Sequence, residues 1–243
     1  MQSVLSSLLT RIGGLIILSS FLLFSRELRP NSKIQGRLNI INGASAECVM
    51  NKFYTNTGWI QIEGEIGRNG IDGLYYKKKH GIIKEVLVAE SKWNTSRLGL
   101  SGKGKTIRQM SKRWVLKTMD KLVKKLNSDT YKRIRELIIN NQYRARLFRL
   151  KPLKFNAIQI SIYKIKNKNK DIFDESLESR LKPMILSNPK NSFEKMMLNS
   201  YNKCRSHYLK KYLGKVLTDT EIDILLKDNY IQKRDVLRVV REH

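Results

Sequence analysis

Two apolar runs joined by a glycine turn constrain this chain most. Leu74 to Lys78 and Ile82 to Lys92 read as strands, and His80-Gly81 between them reads as the turn of a hairpin. Val86, Val88, Glu90 and Lys92 lie at even spacing. A strand therefore sets an acid and an amine two residues apart on one face. Just upstream, Gly70-Ile71-Asp72-Gly73 offers a second carboxylate where glycine, tolerant of positive φ, lets the chain turn sharply on either side. Thr57 to Glu65 reads as a further strand, so three strands meander. Two carboxylates and one ammonium at a strand edge are the parts needed to hold a hard divalent cation against a phosphate.

The remaining chain supplies the elements around this meander. Ala46, Val49, Met50 and Phe53 recur at helical spacing after a break at Asn42-Gly43-Ala44, and this short helix sets Glu47 beside its packed face. Lys103 to Leu126 reads as one amphipathic helix, with Ile107, Met110, Trp114, Val115, Met119, Leu122 and Leu126 inward. Met110 and Trp114 are assigned to the core. On the same helix Gln109, Lys112 and Arg113 would share a side. Tyr131 to Asn140 adds a helix, Tyr143 to Leu150 and Phe155 to Ile165 two more strands, and Lys166 to Lys170 a polar loop. The chain from Asp171 reads as helices, Ser192 to Lys211 being one and a capping box at Thr218 to Glu221 opening another. The expected architecture is α/β: a central mixed sheet flanked by helices, with an N-terminal hydrophobic helix and a helical C-terminal extension. The expected divisions are 1–25, an apolar anchor or signal-like segment; 26–42, a basic linker; 43–170, the core; and 171–243, the extension.

A formal charge of +27 and a pI near 10.2 exceed what solubility requires and point to a polyanionic partner, nucleic acid first and an anionic membrane surface second. Seventeen Lys or Arg against three acids between Lys103 and Lys154 make a plausible track for a phosphate backbone. Cys48 and Cys204 are far apart and form no Cys-x-x-Cys, which indicates neither a zinc site nor a disulfide framework and fits a reducing compartment. His80, His207 and His243 are too scattered for a metal cluster. Residues 3 to 24 are apolar apart from Arg11 and a few Ser and Thr, densest from Ile12 to Phe24, and this longer stretch reaches the ~20 residues of a bilayer-crossing helix if Arg11 snorkels. Arg26, Arg29, Lys33 and Arg37 after it would leave the large domain on the cytoplasmic side of an inner membrane. A cytoplasmic or secreted protein is the alternative.

At Asp72 and Glu90-Ser91-Lys92 the sequence resembles the PD-(D/E)xK nucleases, with Ile71 where the family proline usually stands. Gly-Arg-Asn-Gly-Ile-Asp-Gly, Glu-Ser-Lys-Trp-Asn and Arg108 to Trp114 are similar to its bacterial toxin and defence branch, over residues 43 to 165. The resemblance implies a restriction-endonuclease-like fold and Mg²⁺-dependent cleavage of nucleic acid, DNA first, with Mn²⁺ as a substitute ion and room for a homodimer. It implies Asp72 and Glu90 as metal ligands, Glu47 completing the metal shell, Lys92 acting on the attacking water, and Gln109 positioning water or ligand. Arg108, Lys112 and Arg113 are the expected phosphate contacts. Glu63 and Glu65 are alternative carboxylates, read first as exposed strand residues. The competing reading is a basic nucleic-acid or membrane-surface binding module in which Asp72 and Glu90 are structural.

Overall fold

The computed structural model describes residues 32–62, 70–122, 128–153, 157–172, 179–186 and 189–213. The apolar run from Ile12 to Phe24, Glu63, Glu65, the capping box at Thr218 and His243 lie outside them. Among the described residues no helix is long and apolar enough to cross a membrane.

Chain order begins with helix α1 (Ser32–Asn56) and strands β1 (Ile60–Gln61), β2 (Gly73–Lys79) and β3 (Ile82–Trp93). A small hairpin, β4 (Leu100–Ser101) and β5 (Ile107–Arg108), precedes helices α2 (Lys112–Leu122) and α3 (Asp129–Ile139). Strands β6 (Arg144–Pro152), β7 (Ile158–Lys164), β8 (Ser179–Arg180) and β9 (Met184–Ile185) and helix α4 (Ser192–Leu213) follow. The central sheet runs β1-β2-β3-β6-β7-β8, with β9 also on β7. It is mixed because β3 and β6 pair in parallel while its other pairs are antiparallel. A parallel pair needs a crossover, and α2 and α3 supply it.

Strand alternation sorts the apolar residues into two clusters, one on each face. Val86, Val88, Ala145 and Leu147 pack with Met110, Trp114, Val115, Met119, Ile134 and Ile138 from the α2 and α3 side. Leu87, Ala89, Phe148, Leu150, Ile158 and Ile160 pack with Ala46, Val49 and Met50 of α1 and with Met197 and Tyr201 of α4. The α/β class and the strands β2, β3, β6 and β7 agree with the sequence reading, as do the helices at Asp129–Ile139 and Ser192–Leu213. Of the strand expected over Thr57 to Glu65 only Ile60–Gln61 is strand among the described residues, since Thr57 and Gly58 turn the chain out of α1.

Four further local readings are corrected. First, α1 passes unbroken through Asn42-Gly43-Ala44. Asn42 is buried, and its Oδ1 accepts 2.6 Å from Nη1 of the buried Arg205 on α4, so packing overrides the roughly 1 kcal/mol helical penalty of Gly43. Second, the segment from Lys103 is not yet helix. It forms the hairpin and a tight turn, and α2 starts at Lys112, capped by Ser111, whose Oγ accepts from Trp114 N at 3.3 Å. Third, the chain after Asp171 is not all helical, since β8 and β9 extend the sheet edge. Fourth, Cys48 and Cys204 are joined in a disulfide, their Cα atoms 6.0 Å apart across 156 residues of sequence. The pairing comes from α1 lying against α4, which spacing along the chain does not encode, and it removes the compartment argument drawn from the cysteines.

Candidate active site

Asp72 precedes β2, and Glu90 and Lys92 lie near the end of β3. The antiparallel register pairs Gly73 with Ala89, and one further step sets Asp72 beside Glu90, where cross-strand neighbours stand about 5 Å apart. Gly73 is required here for space and not for a left-handed turn. A Cβ on it would lie 2.4 Å from Cε2 of the buried Tyr75 ring, and its φ is not among the positive ones.

Each carboxylate is held by its own donors. Asp72 Oδ2 accepts from both the backbone N and the Oγ of Ser91, each at 2.8 Å. Glu90 Oε1 accepts from Lys92 Nζ at 2.8 Å and from Gln109 Nε2 at 2.9 Å. Glu90 Oε2 is buried with no hydrogen-bond partner among the described residues. The Glu90 side chain is only 2% exposed, against 16% for Lys92.

Electrostatics follow from this burial. The Glu90 carboxyl is pushed up to about 8, chiefly by desolvation and then by the charge of Asp72, with Lys92 and the Asp72 backbone opposing. Asp72 is also raised by burial, against the hydrogen bonds of Ser91 and the charge of Lys92. Two adjacent carboxyls that resist ionising together, one with an oxygen lacking a partner, fit a divalent cation. Its charge would offset both penalties and its coordination would take the orphaned oxygen. Among the described residues no three His, Cys, Asp or Glu side chains are grouped closely enough to hold a metal by themselves.

Gln109 reaches this site from an unexpected element. It lies in the turn after β5, and Met110 next to it is fully buried at φ 71°, a left-handed backbone that is strained for a non-glycine residue. That reversal directs the chain into α2 and leaves the Gln109 side chain facing β3. Its amide is used at both ends, since Oε1 accepts from Gly99 N at 2.7 Å while Nε2 donates to Glu90.

The other expected residues lie on α1, on β5 and at the start of α2. Glu47 is exposed on α1, and its charge acts on the Tyr75 and Tyr208 hydroxyls, both raised first by burial. Asp72 acts on the same Tyr75 hydroxyl as Glu47. Gln109, Lys112 and Arg113 do not share a helix side, because the helix begins only at Lys112 and Gln109 lies in the turn before it. Arg108 is half-buried in β5, Lys112 Nζ donates to Ile139 O at 2.6 Å, and Arg113 pairs with Asp171 at 3.1 Å. Met110 and Trp114 are core, as assigned.

Two residues that matter here were not singled out by the sequence. Ser91, the middle residue of Glu90-Ser91-Lys92, anchors Asp72. Arg149, paired in register with Lys92, donates through Nη1 to Asn94 O and Ser96 O, both at 2.7 Å, and ties down the chain that leaves the site. A small hydroxyl beside the ligand acid was the available signal for Ser91. Nothing local marked Arg149.

No protein-family model matches the chain, and neither a curated protein nor a solved structure matches it.

Proposed function

We propose that this protein is a metal-dependent endonuclease of restriction-endonuclease-like type that hydrolyses phosphodiester bonds, with DNA the first substrate to test. The observation that carries the reading is the buried Asp72–Glu90 pair at the end of β3, with Lys92 and Gln109 both on Glu90 Oε1. Asp72 and Glu90 would hold Mg²⁺, which supplies Lewis-acid polarisation of a phosphate oxygen and a more acidic water. Lys92, the more exposed partner, is placed to orient the attacking water and to offset charge as the pentacovalent phosphate forms. Ser91 fixes the Asp72 carboxylate, so that ligand geometry is set before substrate arrives. The basic composition supports a polyanionic substrate.

A non-catalytic binding module has one specific observation on its side. Lys92 and Glu90 form a closed ion pair at 2.8 Å, which is sufficient to explain both residues structurally. Incubating the purified protein with plasmid, single-stranded DNA and RNA separates the readings. The endonuclease predicts cleavage that appears with Mg²⁺ and stops with chelator. The binding module predicts retention of all three substrates intact, with affinity that falls as salt rises.

A further inference from the structure

The residues expected to grip phosphate, Lys112 and Arg113, are engaged elsewhere, and Arg108 is half-buried. The segment just before them is not. In β4 and β5, Leu100 pairs with Arg108 and Ser101 with Ile107, and between them Gly102, Gly104 and Lys105 take positive φ of 84°, 71° and 52°. The hairpin is shaped from within. Ser101 Oγ donates to Ile107 O at 3.2 Å, and a Cβ on Gly102 would meet the Ile107 side chain at 3.2 Å. Lys103 and Lys105 stand exposed at its tip, and no ion-pair partner for either occurs among the described residues.

The base of the hairpin is tied to the candidate active site. Gly99 N donates to Gln109 Oε1, and the same amide donates from Nε2 to Glu90 Oε1. On the far side, Arg108 N donates to Asp171 O at 2.7 Å. Lys103 lies four residues from Gly99, and because the chain turns at Gly102 the two are separated by less than the roughly 13 Å of a fully extended stretch. At about 3.4 Å of helix axis per nucleotide, that limit keeps the tip within about four nucleotides of the hairpin base.

We infer that the β4–β5 hairpin grips a nucleic-acid backbone beside the cleavage site, with Lys103 and Lys105 neutralising flanking phosphates and Gln109 transmitting the hairpin's position to Glu90. The inference rests on the endonuclease reading. Gln109 is in this account a positioning residue: its amide must accept from the hairpin and donate to the carboxylate at once. A hydrocarbon side chain can do neither, and a glutamate would present an anion to Glu90.

The test uses the full-length chain carrying Asp72→Asn, which allows binding to be measured without cleavage. Binding of a fluorescent DNA oligonucleotide is followed across a salt series, with and without Lys103→Ala and Lys105→Ala together. The two exposed lysines can be removed without opening the core, and a thermal melt checks the fold. The expected result is a salt slope shallower by about 1.4 to 1.8, the value for two phosphate contacts. An unchanged slope with intact binding overturns the hairpin's role and leaves the hydrolytic reading standing. No binding by the parent chain of this oligonucleotide or of its RNA counterpart overturns both. Gln109→Leu in an otherwise wild-type chain tests the coupling, with kcat expected to fall at least tenfold and oligonucleotide affinity to change less than threefold. Equal losses in kcat and affinity, or neither, would overturn the link through Gln109.

Discussion

One face of β3 sends Leu87 and Ala89 into a cluster with α1 and α4, closed by the Cys48–Cys204 bond and by Arg205 stacked 5.0 Å over Trp93. The opposite face sends Val86 and Val88 against α2 and α3, and then, still buried, Glu90. The same alternation produces a dry, cross-linked wall on one side. On the other it produces a carboxyl that burial opposes. On the proposed reading, the difference separates the face that supplies stability from the face that supplies chemistry. Residues of the α1 and α4 face hold the sheet rigid, and residues at the end of the α2 and α3 face use that rigidity to keep two acids together at a cost in stability.

The largest stability effect should come from Phe148→Ala, which empties a fully buried position in the α1 and α4 cluster. Such a truncation costs about 3 to 5 kcal/mol. Denaturant unfolding should show that loss, while Mg²⁺-dependent cleavage per folded molecule at low temperature stays within a few-fold of the parent. A selective collapse of cleavage in still-folded protein would break the division between the faces.

Next in size is Cys204→Ser, which removes the link between α1 and α4. Disulfides typically contribute about 2 to 4 kcal/mol, and a loss of that order is expected in oxidising buffer. The same substitution should change little in the presence of strong reductant. Equal melting temperatures for the two proteins in oxidising buffer would show that the bond contributes nothing to this face.

The third effect has the opposite sign and sharpens the comparison. Glu90 ionises near 4.5 when unfolded, but its carboxyl is raised to about 8 in the folded chain. Unfolding therefore releases a proton in that window. Metal-free stability should fall as pH rises from about 4.5 to about 8, by at most about 1.4 kcal/mol per pH unit, and Asp72, also raised, adds to the same trend. Glu90→Gln should flatten this dependence and raise the melting temperature at pH 8 in chelator. Parallel pH profiles for the two proteins would mean that Glu90 is not under the strain described.

The strand period was readable in the sequence, and with it the meander, the pairing of Glu90 with Lys92 on one face, and Asp72 beside them. The segment from Lys103 was not read correctly because Ile107, Met110 and Trp114 recur at helical spacing although they come from a strand, a left-handed turn and a helix. Three glycines, Gly99, Gly102 and Gly104, were the countervailing signal. The strands β8 and β9 have two residues each, too few for a period to show. The disulfide and the Arg205–Asn42 contact depend on α1 meeting α4 across more than 150 residues, and no local pattern reports such a meeting.

The central claim is that Asp72 and Glu90 form one cation site for phosphodiester hydrolysis, and Asp72→Asn tests it most directly. The substitution keeps the shape and volume at Ser91 and removes the anion. Single-turnover cleavage with saturating Mg²⁺, measured beside a thermal melt, should show a folded protein that still binds nucleic acid and whose cleavage rate is lower by about 10²- to 10³-fold or more. Mg²⁺-dependent cleavage at the parent rate by folded Asp72→Asn would contradict the account and leave the closed Glu90–Lys92 pair as a structural feature of a binding protein.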